Sequence, residues 1–168
     1  MKNLKSLIVV GILAAAGIAT ASQADMAKKL QTIYSKLDAL SLKKDMAGLT
    51  KLLNQVSTPD CIFVSKTQKM TRDQTMQQMA VVMPKIDTVT TSTSHVDGVK
   101  MVGGSLVASV HQTVAMTTKP TKETGPAHKI VQKTSSEDTW VKSGGTWKLK
   151  ISKIVTETII QDGKEIKM

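Results

Sequence analysis

At Pro84 the hydrophobic period of this chain changes from about 3.6 residues to 2, and no other feature narrows its fold so far. Before the proline, Met26, Leu30, Ile33, Leu37 and Leu40 recur at spacings of three and four, the stripe of one helix face. Asp25 stands where that helix would be capped. A second helical stretch begins near Asp45 with Met46, Leu49, Leu52 and Leu53, and Ser57-Thr58-Pro59-Asp60 ends it. Residues 61–64 then read as a short apolar strand. Thr71-Arg72-Asp73-Gln74 has the form of a capping box, in which the Thr71 hydroxyl and the Gln74 amide each satisfy an orphan backbone donor. It opens a third helix with Met76, Met79, Ala80 and Met83 inward, and Pro84 stops it.

After Pro84, β-branched residues dominate 86–94, 104–118, 129–141 and 146–160, which read as long strands of a meander. Asp97-Gly98 and Gly103-Gly104 mark turns or bulges, and Gly144-Gly145, flanked by Trp140 and Trp147, marks a tight hairpin. Residues 118–128, with Pro120, Gly125 and Pro126, form the longest loop. In the tail, about 156–168, Asp162-Gly163 separates two short apolar runs and predicts an additional hairpin. Helices first and a long antiparallel sheet afterwards is an α+β order, with the helices on one side of a bent sheet. The two layers together make a cone with a cavity between them.

Residues 1–24 have the parts of a secretory leader: Lys2 and Lys5, an apolar run from Leu7 to Ala19, and Ser22-Gln23-Ala24 as the cleavage site. The run is shorter than the ~20 residues a membrane span needs, and no cysteine follows it to carry a lipid. Residues 25–168 are then one exported domain, periplasmic or extracellular. A single cysteine, Cys61, permits no internal disulfide and, within an apolar run, reads as a small core residue. His95, His111 and His128 lack any ligand spacing, so no metal is expected. The formal net charge is +10, two units of which belong to the leader. The lysines are scattered, and one Tyr, one Phe and two Trp make no stacking platform, so nucleic acid is not an expected partner. The charge implies at most a weak attraction to anionic surfaces.

A resemblance rests on the order of several short stretches. Lys44-Asp45-Met46-Ala47-Gly48-Leu49 leads to Thr58-Pro59-Asp60-Cys61-Ile62-Phe63-Val64; Val96-Asp97-Gly98 steps into a Val-rich strand; Asp138-Thr139-Trp140-Val141-Lys142 runs on to Gly145-Thr146-Trp147-Lys148-Leu149. Together they resemble the nuclear transport factor 2-like superfamily, specifically its SnoaL-like small proteins, over nearly all of residues 25–168. The resemblance implies a cone of N-terminal helices on a strongly curved antiparallel sheet, the cystatin-like arrangement. It also implies a homodimer, because open sheets in this superfamily often pair face to face. Its members include isomerases, cyclases, dehydratases, hydrolases and proteins without catalysis, so shape alone licenses only a pocket.

Four residues are candidates for proton transfer in such a pocket. Tyr34 lies four residues before Asp38 on one helix face, although Asp38 reads as solvated. His111 lies on the parity of the 106–116 strand opposite its greasy face, and His95 alternates with Thr91 and Thr93; either is an exposed strand residue or, where the sheet curves, a base. Asp138 shares parity with Trp140, and the resemblance puts both on the sheet interior. Glu137, adjacent, faces the other way and makes no paired-carboxylate site. For ligand contact the candidates are Tyr34, Met76, Met79, Met83 and Trp140, apolar surfaces of which the methionines are the adaptable part. Trp147, in register with Leu149 and Ile151, reads as core.

These residues include apolar and hydroxyl side chains but no acid and base that clearly belong together. The expectation is therefore an exported, non-catalytic small-molecule-binding or accessory protein, without a cofactor, for an apolar or amphipathic ligand. An isomerase-, cyclase- or dehydratase-like enzyme and a homodimeric interaction module are the alternatives.

Overall fold

The computed structural model describes residues 3–121 and 125–166, with the side chains of the first helix described from Gln23 onward. The side chains of the leader expected over 1–24, the last two aside, lie outside that range. In chain order the elements are α1 (Asn3–Leu42), α2 (Met46–Val56), β1 (Ser57–Val64), β2 (Lys69–Thr71) and α3 (Arg72–Val82). A 3-10 turn (Met83–Lys85) then leads into β3 (Ile86–Val102), β4 (Ser105–Thr118), β5 (Lys129–Ser143), β6 (Thr146–Gln161) and β7 (Lys164–Ile166). Among the described residues no helix is long and apolar enough to cross a membrane.

The architecture is α+β, with helices on a curved sheet whose strand order is β2-β1-β6-β5-β4-β3. Three antiparallel ladders join β3 to β6, as the period-2 stretches predict. The sheet is nevertheless mixed, because β1 adds to β6 in parallel. Ser57-Thr58-Pro59-Asp60, expected as the end of a helix, already belongs to β1. The Ser57 hydroxyl donates to the Leu53 carbonyl at 2.5 Å, and Ser57 pairs with Leu149, so the chain passes from helix to strand without a loop. The proline is tolerated where the ladder shifts register, between Ser57 and Ile62.

Asp97-Gly98 is a bulge inside β3, not a turn, with a register shift between Val96 and Gly98. A second bulge, between Thr139 and Trp140, pairs Trp140 with Leu149 but Thr139 with Ile151. The bulge reverses parity, so Ile151 falls on the face opposite Leu149, contrary to the simple alternation. The Gly144-Gly145 hairpin forms as expected, with φ of 58° and 78° in the left-handed region that only glycine adopts freely. Asp162-Gly163 likewise turns β6 into β7, which pairs with residues 159–161 on the edge that β1 occupies farther along.

The capping box at Thr71 is present, the Thr71 Oγ1 accepting from Gln74 N at 3.2 Å and the Gln74 Oε1 from Thr71 N at 2.9 Å. Asp45 caps α2 by accepting from Gly48 N at 2.9 Å. Gly48 is needed there, since a Cβ would lie 2.5 Å from the Asp45 carboxylate and 2.6 Å from Leu40. Asp25 caps nothing, because α1 is already under way when it reaches that residue.

The core is built from Leu30 and Tyr34 of α1, Cys61 of β1, Val96 of β3, Leu106, Ala108 and Val110 of β4, Trp140 of β5 and Leu149 of β6. Leu30, Leu106, Cys61 and Trp140 are almost wholly buried. By contrast α3 buries no residue completely: Met76, Met79 and Met83 are half-buried, and Ala80, Val81 and Val82 are exposed. The inward row of methionines expected on α3 therefore only brushes the rest of the protein.

Helix α1 is fastened to β3, the last strand of the sheet, by polar contacts. Gln31 donates to the Ser94 carbonyl at 2.8 Å and accepts from Val96 N at 2.8 Å. Asp38 accepts from Ser94 N at 2.7 Å and from the Ser92 and Ser94 hydroxyls at 2.9 Å each. Lys44, just past the helix, donates to the Ile86 carbonyl at 3.1 Å. Expected in solvent, Asp38 is 7 % exposed, because an edge strand needs partners for its outward N–H and C=O groups and a carboxylate can serve several donors at once. The Asp38→Ala variant should lose about 2 kcal/mol, read as a lower urea midpoint at unchanged slope, and Asp38→Asn should lose less.

Candidate functional site

The four proton-transfer candidates fall into two separate pairs, Tyr34 with Asp138 and His95 with His111. Tyr34, on the buried face of α1, donates its hydroxyl to Oδ2 of Asp138 in a very short hydrogen bond, while Ser152 of β6 donates to Oδ1 at 2.7 Å. Trp140, two residues along β5 and therefore on the same face, stands edge-on to the Tyr34 ring, with centroids 6.2 Å apart and planes at 83°. Its indole N–H is buried without a hydrogen bond of normal geometry. Tyr34 and Asp38 share a helix face but separate in their partners, one reaching Asp138 and the other β3.

Burial governs the electrostatics of this pair. It pushes the Tyr34 phenol well above its usual range, and the facing Asp138 carboxylate pushes it further, against a small opposing effect of the Trp140 indole. Burial also raises the Asp138 carboxyl, while the hydroxyls of Tyr34, Ser152 and Ser136 hold it down. Both groups thus favour their neutral forms. Tyr34 is 8 %, Asp138 3 % and Trp140 1 % exposed, so all three are closed off from solvent. Trp140, expected as a cavity wall, is instead a floor plate of the core. Cys61, in the same cluster, is pushed up to about 11, first of all by burial, and is a packing residue with a poor claim to be a nucleophile.

His95 and His111 sit side by side on the sheet face that α1 does not cover. The His111 ring lies between the Ser135 hydroxyl, 2.7 Å from Nδ1, and the Asp97 carboxylate, 2.7 Å from Nε2. His95 is 3.7 Å from the other Asp97 oxygen. The two imidazoles are mostly in solvent. Among the described residues no group of three or more His, Cys, Asp or Glu side chains is placed to hold a metal ion.

A ligand-sized space lies elsewhere. A cleft of about 450 Å³ opens where the end of α3 and the 3-10 turn meet the ends of β3, β4, β5 and β6. Val82, Ile86, Met116 and Ile130 give it apolar walls; Lys85, Lys119 and His128 stand around its mouth. The frame is well tied. Lys119 N donates to the Lys85 carbonyl at 2.8 Å, and Thr118 and His128 close the loop base with two bonds of 2.9 Å. Asp162 accepts from Lys129 N at 2.9 Å and lies 2.7 Å from His128 Nδ1, and these contacts hold its carboxyl below the usual range. Met76, one of the expected ligand residues, lines a different and more open groove between α2 and α3. Sequence reading passed over the cleft because Ile86, Met116 and Ile130 look like ordinary strand residues; the turn residues between 118 and 128 were the one signal.

No protein-family model matches the sequence, and no curated protein matches it. Solved structures do match its shape. A conserved protein from Planctomyces limnophilus superposes with a TM-score of 0.60 at 12 % identity, over 82 % of this chain and 96 % of that one. A nuclear transport factor 2-like superfamily protein from Salmonella enterica gives 0.56 at 13 % identity, over 78 % and 90 %. The chain has the NTF2-like fold. A type 2 hexachlorocyclohexane dehydrochlorinase (LinA) shares it, with a TM-score of 0.60 at 10 % identity over 81 % of this chain and 90 % of that one. At such identities the likeness carries the NTF2-like cone and not a chemistry.

The Tyr34–Asp138 pair leads to a pH prediction. A carboxyl whose pKa is higher folded than unfolded binds its proton more tightly in the folded state, so its contribution is full below the unfolded value near 3.8 and is lost as pH rises through the folded value. Tyr34→Phe removes a bond that holds Asp138 down and should deepen that loss. Chemical denaturation of the two proteins between pH 3.5 and 7 should show a stability gap that widens with pH, reaching about 1–3 kcal/mol. In an Asp138→Asn background the Tyr34→Phe gap should not vary with pH.

Proposed function

We propose that this protein is an exported, non-catalytic binding protein for a small apolar or amphipathic molecule, held in the cleft between α3 and the ends of β3–β6. One observation carries the reading: the buried acid and phenol are closed against each other in the core, away from the space that has ligand volume. An isomerase-, cyclase- or dehydratase-like reaction needs an acid or base facing bound substrate. Tyr34 and Asp138 face one another, and His95 and His111 face solvent; His128, at the rim of the cleft, is the one imidazole beside the space, and the reading takes it as a polar contact for the ligand. The cleft, in contrast, has the makings of a binding site, with apolar walls, a few polar groups and a volume within the usual ~300–1,000 Å³. Residues 1–24 are read as a removed leader, and 25–168 as a single domain.

A second reading concerns assembly. The sheet face opposite α1 has no described helix over it, and Thr113, Ala115, Val131, Thr158 and Ile160 leave it half-apolar. Pairing of two such faces in a homodimer is the assembly this favours.

Native mass spectrometry of the protein from its own host tests these readings together. The polypeptide should begin at Asp25, travel as a dimer, and release a molecule of a few hundred daltons on activation. An Ile130→Trp variant, which fills the cleft, should release none. Ligand retained by that variant, or wild-type protein that binds nothing even from a lipid extract, would sink the binding reading.

A further inference from the structure

Lys85 and Lys119 project at the mouth of the cleft, and among the described residues neither has a carboxylate within ion-pair distance. Of the basic groups close by, Lys44 donates to the Ile86 carbonyl and His128 is engaged by Asp162. The hydrogen bond from Lys119 N to the Lys85 carbonyl keeps the two backbones together, and like charges carried on adjacent backbones repel each other unless an anion stands between them. Behind them, Val82, Ile86, Met116 and Ile130 present apolar surface that a polar ion alone would not cover. Val82 is 45 % exposed.

We infer that the cleft takes an amphipathic anion, its apolar body on those four side chains and its carboxylate between the two lysine ammonium groups. The inference rests on the binding reading above and adds the charge and shape of the ligand. Apolar contact gives most of the affinity and is indifferent to charge; the lysines discriminate. His128 has its Nδ1 turned to Asp162, which leaves Nε2 as a further polar group of the lining, with Thr118 and Gln161. A volume of about 450 Å³ lies within the range of small-molecule sites and has room for a single chain of about ten carbons. The ligand inferred is a free carboxylate of that size. The positive net charge of the whole chain works in the same direction, by steering anions toward the protein.

Calorimetric titration of the mature protein with decanoate and with 1-decanol, at low and moderate salt, tests this. Decanoate should bind about tenfold more tightly than decanol, two exposed charge contacts being worth a few-fold each. That advantage should shrink as salt is raised. A Lys85→Gln/Lys119→Gln variant, altered only at exposed positions, should lose the tenfold and keep its decanol affinity. Met116→Trp should abolish both. Equal affinity for the two ligands overturns the anion and leaves the binding reading standing; no binding of either overturns both. Preference for decanoate that survives in the double variant places the anion elsewhere and overturns the assignment. So does sedimentation with phosphatidylglycerol vesicles that the double variant loses while keeping its decanoate affinity, since the lysines then serve a lipid surface.

Discussion

The outer edge of β3 is the constraint around which the rest of the molecule is arranged. A sheet that ends in a seventeen-residue strand exposes a long row of unpaired backbone groups, which invites pairing with another chain. Here α1 lies along that edge and answers it with side chains. Gln31 satisfies both a carbonyl and an N–H of β3, and Asp38 takes the next N–H with two serine hydroxyls. Leu30 and Tyr34, on the adjoining stripe, enter the core. Apolar contact alone would let a helix slide over a sheet. The polar row allows one position only, because a shift of one turn would strand several buried donors and acceptors.

That solution also occupies the polar groups on the inner face of the cone. Asp38 is bound to β3, Tyr34 to Asp138, and Asp138 to Ser152, so each acid on the cone's interior is already satisfied by a neighbour. A buried carboxyl with a raised pKa is often a mark of catalysis, but the same shift arises in structural pairs. What separates the two is access. The Tyr34–Asp138 pair lies under Trp140 and Leu30 in the tightest part of the core. The wide end of the sheet, where β3 to β6 run past the helices, has space, and the pair beside it, His128 with Asp162, is partly open to solvent instead of buried.

How much of this was legible in the sequence follows from the range over which each signal acts. Local patterns were legible: the period change at Pro84, the capping box at Thr71, and the Gly144-Gly145 hairpin depend on neighbours within a few residues. Features set by distant pairing were not. Nothing near Ser57 announces a parallel partner 92 residues away at Leu149, and nothing near Trp140 announces the bulge that turns Ile151 outward. Asp38 read as solvated because a carboxylate on a first helix usually is; its burial depends on β3 being an edge. The resemblance put Asp138 on the sheet interior, while Tyr34 was legible only as a residue beside the apolar stripe of its helix. Their mutual bond, which decides their role, spans a separation of 104 residues.

The same reasoning explains why α3 differs from the other helices. Its cap is as well made as any in the protein, yet it packs through half-buried methionines, and Val81 and Val82 remain 62 % and 45 % exposed at its end. A helix with a good start and little burial holds its place through its ends more than through its face, and belongs to the less stable part of a fold. Its C-terminal end is also one wall of the cleft, with Val82 facing Ile86 across the 3-10 turn. Apolar surface left open beside a ligand-sized space loses its cost when something apolar fills that space. The loose packing of α3 and the openness of the cleft therefore meet at Val82, whose side chain the helix leaves unburied and the cleft leaves to be covered from outside.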